Sequence, residues 1–275
     1  MIRFEQLHKT LICALGIEKV IRNKNVVIGI AGVGSVGSYT LEALASLGFT
    51  KFNIADSDII EKHNIPRVIF ANKNNIYKVK DEEAVNFVKN KYVDIDIRSY
   101  GSITENNINS FVEHSDIIVD TIDFFNIYIK ELLYNTAKKY KKFVVTAAPL
   151  GYEVCKIIYD PYGIDFYRYN MLHIANSEKE KVLLLALGFD QSLSFINDLK
   201  NLNSKDTSSC AIQTTCSIAG NIIANEILKL LYYIEHVKFA PIVEIFNIKE
   251  FKVKSVVNNK IKRRIKFEIF RRKYV

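Results

Sequence analysis

A chain of 275 residues, 49% hydrophobic and 25% charged, can bury a sizeable core as one large α/β unit with or without appendages. No apolar run reaches the roughly 18–20 residues of a membrane span, and the opening MIRFEQLHKT lacks the apolar core of a secretory leader, so a cytoplasmic protein with no membrane partner is expected. The net charge of +8 is uneven: residues 260–275 carry eight Lys/Arg against one Glu, leaving the body nearly neutral. Four cysteines without a CxxC pair and five histidines without ligand spacing argue against structural zinc and against a disulfide framework.

Residues 4–22 place Phe4, Leu7, Leu11, Leu15 and Val20 at helical spacing and predict an N-terminal helical arm, residues 1–24. The β-branched run Val26–Ile30 reads as a buried strand and leads straight into Gly32-Val33-Gly34-Ser35-Val36-Gly37. A helical pattern stopped by Gly48 follows, then a second strand, Lys51–Ala55, ending on Asp56. After a loop come a helix at about 76–91, a strand Asp96–Tyr100, a short helix within Ser102–His114, and a strand Asp116–Asp120. A helix over 126–139 and a strand Lys142–Thr146 close the alternation, which argues a doubly wound, mostly parallel Rossmann-like sheet. From Tyr152 the pattern changes to antiparallel strands (Tyr152–Tyr159 and one or two within Val237–Val257), helices over 177–200, a loop Asn201–Ser209, and a nearly uncharged helix Cys210–Ile234 expected beneath the sheet. The expected division is a nucleotide-binding half 25–150, a substrate-side half 151–259 and a basic tail 260–275, read as a solvated element whose apolar residues cover the body.

An open α/β sheet gathers its ligands at the C-terminal ends of its strands, and three clusters fall there. The first is the glycine turn (Gly32, Gly34, Gly37) with Asp56 and Asp58, where backbone can approach phosphate and an acid can accept from ribose. The second is Asn64, Arg67 and Lys80; the third is Asp120, read as a structural cap, and Asp123. Two fixed cations suit a polyphosphate better than a hydride-transfer cofactor, and Asp123 could hold magnesium, so ATP is favoured over NAD.

As an ordered set these residues resemble the ThiF/MoeB/HesA superfamily of adenylating enzymes, relatives of ubiquitin-activating enzymes. The resemblance rests on GVGSVG, Asp56 and Asp58, Asn64-x-x-Arg67, Lys80, Asp120-x-x-Asp123, TAAPLGYEV and the helix ending NEILKLL, and covers about residues 3–235. It implies an ATP-dependent adenylyltransferase that activates a carboxylate, the C-terminus of a ubiquitin-like or sulfur-carrier protein or of a peptide. In that reading Asp56 holds the ribose, Arg67 and Lys80 the phosphates with help from Asn64, and Asp123 orients Mg2+ and pyrophosphate. A homodimer is implied, with a basic residue of the partner's arm completing the site; Arg3 and Lys9 are the candidates here, and Lys130 is the nearest match to a basic residue usually found closer to Asp123. The family's zinc-binding CxxC pairs are absent, so no zinc is expected, and residues 161–205 look closer to a divergent bacterial branch.

Cys210 is a candidate covalent acceptor for the activated partner, weighed against the favoured reading of an ordinary thiol opening a helix, as for Cys216. Two other functions compete with the main one. A tRNA-modifying enzyme of the threonylcarbamoyladenosine dehydratase type would use the basic tail on tRNA phosphates. A non-catalytic nucleotide-binding or docking protein would have no need for Asp56, Arg67, Lys80 and Asp123 together.

Overall fold

The computed structural model describes residues 3–189 and 212–274. Val27–Ala31 (β1), buried after its first residue, has the near-continuous apolar character of a strand covered on both faces. It pairs in parallel with Lys51–Ala55 (β2) and with Ile117–Asp120 (β4). Asp96–Ser99 (β3) adds outside β2 and Phe143–Leu150 (β5) outside β4, also in parallel. Beyond β5 the sheet continues antiparallel through Glu153–Tyr159 (β6), Ile242–Asn247 (β7) and Lys252–Val257 (β8), in the order β3-β2-β1-β4-β5-β6-β7-β8. The expected fold class is therefore the observed one. β5 runs past Thr146 to Leu150 because a two-residue turn at Gly151-Tyr152 folds it directly against β6.

Helices cover both faces. Gly37–Ser46 (α4), Lys80–Lys91 (α5) and Gln213–Tyr232 (α10) share one core with Ile28, Ile30, Val119 and Val145. Ile108–Glu113 (α6), Ile127–Lys139 (α7), Phe166–Tyr169 (α8) and Glu178–Phe189 (α9) share the other with Ile118, Val144 and Ile157. The N-terminal arm is three short helices, Phe4–Leu7 (α1), Lys9–Leu15 (α2) and Ile17–Asn23 (α3): the run breaks at His8, which leaves helical geometry, and again at Gly16, at φ +82°. Its buried Phe4, His8 and Val20 sit at the C-terminal end of α4, where His8 Nε2 lies 3.3 Å from Ala45 O and Asn23 Nδ2 donates to Leu47 O at 2.7 Å.

Two charged features lie inside this frame. Lys156 of β6, fully buried beneath α10, pairs with Glu226 at 3.0 Å and with Glu244, while Lys229 (2.9 Å) and Lys238 (3.0 Å) close the cluster from its rim. The C-terminal residues Lys260–Tyr274 form a helix (α11) packed on α9. Its covering contacts differ from the expected ones: besides Phe267, it is Arg263 that is fully buried, while Ile261, Ile265 and Ile269 face outward. Arg263 donates to Tyr169 O at 2.6 Å and Leu184 O at 2.9 Å, and burial pushes its pKa below the usual arginine value.

Candidate active site

β1 and β4 are neighbours while their following helices, α4 and α7, lie on opposite faces of the sheet, so a crevice opens at their C-terminal ends. The glycine turn forms its floor. Gly32, at φ +92°, donates to Ala55 O at 2.8 Å, and its own carbonyl accepts from Thr121 Oγ1 at 2.6 Å. A Cβ on Gly32 would stand 2.6 Å from Thr121 O, and one on Gly37 would stand 1.9 Å from Gly32 O, so both are glycines by packing. Gly34 differs: a Cβ there would meet nothing within 4 Å. Its bare backbone faces open cleft, and the amides of Gly34, Ser35 and Val36 donate to no protein acceptor among the described residues. With the N-terminus of α4 beginning at Gly37, this is a cradle suited to an anion.

Asp56 leaves β2 beside that turn. Its Oδ2 accepts from Val33 N at 2.9 Å and its Oδ1 from Asp58 N at 3.0 Å, so the carboxylate braces the glycine turn. Burial raises its pKa above the ordinary aspartate value, against the pull of the nearby Lys80 charge.

The loop that follows returns on itself. Ile60 N donates to Lys78 O at 2.8 Å, Lys80 N to Asp58 O at 2.8 Å, and Ile59 bridges Val79. These contacts, with Tyr77 N donating to Ile60 O at 2.7 Å, tie residues 77–79 to the loop, which is why α5 begins at Lys80 and not at 76. The Lys80 ammonium, at the positive end of its own helix, is 2.8 Å from Asp58 Oδ2; Asp58 thus holds Lys80 in place. Inside the loop Asn64 is buried, its Oδ1 accepting from Glu61 N at 3.0 Å, and its carbonyl accepts from Arg67 N at 2.9 Å. That turn presents Arg67, half-buried and without an ion-pair partner among the described residues, to the cleft.

Across the crevice, Asp120 is buried with Lys130, whose ammonium is 2.8 Å from both carboxylate oxygens, and with Tyr134 Oη at 2.9 Å. Asp120 is thus structural, as expected, and Lys130 lines the cleft with its charge already matched. Asp123 is exposed in the cleft, held at one oxygen by Phe125 N at 3.0 Å. The cleft encloses about 1130 Å³ and is lined by Gly32, Gly34, Asp56, Asp58, Asn64, Arg67, Lys80 and Asp123 together. Gly37 lies beneath the lining, Arg3 and Lys9 are exposed on the arm away from their own chain's cleft, and Cys210 lies outside the described residues.

Two parts of the site were not anticipated. Phe124, Phe125, Ile129 and Phe189 build an apolar wall next to Asp123, with the Phe124 ring 6.0 Å from both other rings, edge-on to Phe125 and tilted against Phe189. The aromatic pair directly after Asp123 in the sequence was the available signal. Cys216, read as an inert thiol, is indeed fully buried, and burial pushes its pKa up, partly offset by a hydrogen bond with Ser35 of the glycine turn and by the Arg67 charge. Only the fold brings α10 to that place.

A family model described as the ThiF family matches residues 6–264. The SAMP-activating enzyme E1 of Haloferax volcanii is 26% identical over 97 residues, 35% of this chain and 36% of that protein. The adenylyltransferase and sulfurtransferase UBA4 of Candida glabrata is 29% identical over 140 residues, 50% of this chain and 32% of that protein. The matched stretch is thus about a third of the length of either relative. Among solved structures, PaaA superposes with a TM-score of 0.68 at 15% identity, covering 92% of this chain and 73% of that one. E. coli MccB with ATP superposes with a TM-score of 0.65 at 14% identity, covering 89% and 67%. At these identities the likeness is one of fold.

Proposed function

This chain belongs to the ThiF family, and on that footing we propose that it activates a carboxylate by ATP-dependent adenylation. The observation that carries the reading is the convergence of Arg67 and Lys80 with Asp123 in one cleft floored by the open face of Gly34. Asp56 would accept from the ribose, the free amides of the turn and Arg67 would bind phosphate oxygens, and Lys80 would add a second cation from its seat on Asp58. The substrate carboxylate attacks the α-phosphorus in line, the bond to the bridging oxygen breaks, and pyrophosphate leaves with its charge compensated by these cations. Such chemistry asks the protein for positioning and charge neutralisation, not for a covalent group.

Magnesium fits the donor set. Asp123 offers a hard carboxylate oxygen to the cleft, and Mg2+ is commonly held by one or two carboxylates with phosphate oxygens. It would neutralise charge on the leaving pyrophosphate. The substrate we propose is the C-terminal carboxylate of a small protein or peptide, in keeping with the SAMP-activating relative and with the MccB structures that contain MccA. A homodimer, with Arg3 or Lys9 reaching a neighbour's cleft, belongs to the same reading.

The test is ATP–pyrophosphate exchange screened over small proteins ending in Gly-Gly, short peptides and tRNA. Exchange driven by a polypeptide is expected, and Asp123→Ala should abolish it while retaining part of the ATP binding. Exchange that persists in that variant would overturn the assignment; exchange driven by tRNA alone would replace the substrate class.

Asp56 adds a pH dependence. Its raised pKa means that it takes up a proton at a higher pH than a free aspartate, losing an acceptor for the ribose. ATP affinity should therefore fall on acidification from above the ordinary carboxylate range. Stability moves the other way: between the unfolded and the raised folded pKa the native state binds more protons, so Asp56's contribution declines as pH rises through that window. Calorimetric titration with ATP across a pH series should show the slope in the parent and a flat profile in Asp56→Asn.

A further inference from the structure

Among the described residues no helix is long and apolar enough to cross a membrane, but α11 has the make-up of one that lies on a surface. Ile261, Ile265 and Ile269 are 73%, 58% and 58% exposed. Spaced four residues apart, they form one outward ridge, opposite the buried Arg263 and Phe267 that anchor the helix. Lys262 stands on one side of the ridge, Lys260 and Arg264 on the other, and Arg272 continues it; all four are exposed and none has an ion-pair partner among the described residues. The only acid of the helix, Glu268, is matched by Arg271 at 4.0 Å. We propose that this face of α11 docks in the plane of a membrane that carries acidic lipids, the isoleucines entering the headgroup boundary and the cations meeting lipid phosphates and carboxylates.

The alternatives fit less well. Two copies meeting through this face would oppose their basic flanks. A nucleic acid would meet isoleucine at the centre of the contact, where phosphate needs donors and bases need aromatic stacking. A protein partner would have to bring a groove for this outward ridge of a helix seated on α9, whereas a headgroup layer accommodates a convex ridge as it stands. The expectation of no membrane partner rested on the missing spanning run; a surface helix requires none.

Co-sedimentation of the full chain with phosphatidylcholine vesicles, with and without phosphatidylglycerol, tests the assignment. Binding to the anionic vesicles should be stronger by roughly tenfold or more and should weaken with salt, since each cation near such a surface adds to the attraction. Ile265→Asp, at an exposed site, should reduce binding to the neutral-vesicle level with thermal unfolding unchanged. Equal binding by that variant, or no preference for anionic vesicles, would overturn the proposal. Binding of tRNA or polyglutamate lost in Ile265→Asp, without vesicle binding, would overturn it too and give the face to that partner.

Discussion

Arg67→Ala should slow substrate-driven pyrophosphate exchange by about 10²–10³-fold, the scale seen when one preorganised charge-stabilising donor is removed, with little change in melting temperature. The two halves of that expectation have separate causes. Arg67 lines the cleft without a counter-ion among the described residues, so its removal takes a cation from the phosphates and strands none of the described carboxylates. Its backbone, bonded to Asn64 O at 2.9 Å, keeps the turn in place whatever the side chain. Lys80 is a poorer probe, because its loss also frees Asp58 from a 2.8 Å ion pair and disturbs the closure of the loop. Arg67→Lys should fall between parent and alanine, since an ammonium keeps the charge but not the planar fork. Steady-state exchange and differential scanning fluorimetry on the three proteins suffice, and undiminished exchange in Arg67→Ala would remove this side chain from the phosphates.

Lys156→Ala should be the most destabilising single substitution tested, by about 3–5 kcal/mol, because it removes the one fully buried charge that two buried carboxylates share. Glu226 and Glu244 both lie against Lys156 under α10, and their remaining partners, Lys229 and Lys238, reach them from the rim. Burial works against the charged form of Glu244, yet Lys156 and Lys238 outweigh it and hold its pKa below the usual glutamate value. A depressed carboxyl pKa stabilises the fold above the unfolded-state value and loses that contribution as pH falls through the folded one. The parent should therefore lose stability on acidification through that range. In Lys156→Ala this dependence should weaken, because Glu244 loses one of the two charges that outweigh its burial and keeps only Lys238. Urea unfolding at a series of pH values distinguishes the two. The triple replacement Lys156→Met with Glu226→Gln and Glu244→Gln should recover much of the loss, and failure to do so would mean that packing, not charge, sets the cost.

How much of this was legible depends on how local the signal is. The strand–glycine turn–helix–strand–acid run is short-range and patterned, and it led to β1, α4, β2 and Asp56 with shifts of a residue or two. Asn64 and Arg67 were found through their spacing, which the loop turns into one compact bend. The Asp58–Lys80 pairing was not legible, since nothing in the 22-residue separation says that the loop closes on itself; a stretch of it was read as helix. Nor could composition reveal Lys156 among carboxylates, because its partners lie 70 and 88 residues away on α10 and β7. The tail misled for a physical reason. Isoleucine was expected inside and arginine outside, but the site beneath α11 offers the carbonyls of Tyr169 and Leu184, which an arginine fork can satisfy and an isoleucine cannot.

The contact of α10 with α4 bears on how the protein is made. Gly220 passes so close to α4 that a Cβ there would stand 2.7 Å from Thr40 N, and Gln213 Nε2 donates to Tyr39 Oη at 2.7 Å. The nucleotide turn and its helix leave the ribosome well before the helix that presses them onto the sheet, which is synthesised some 170 residues later. Contacts so distant in sequence form late. During synthesis the apolar face of α4 awaits its cover, and a chain halted before Gln213 would carry the glycine turn in full but lack the helix that fixes its place.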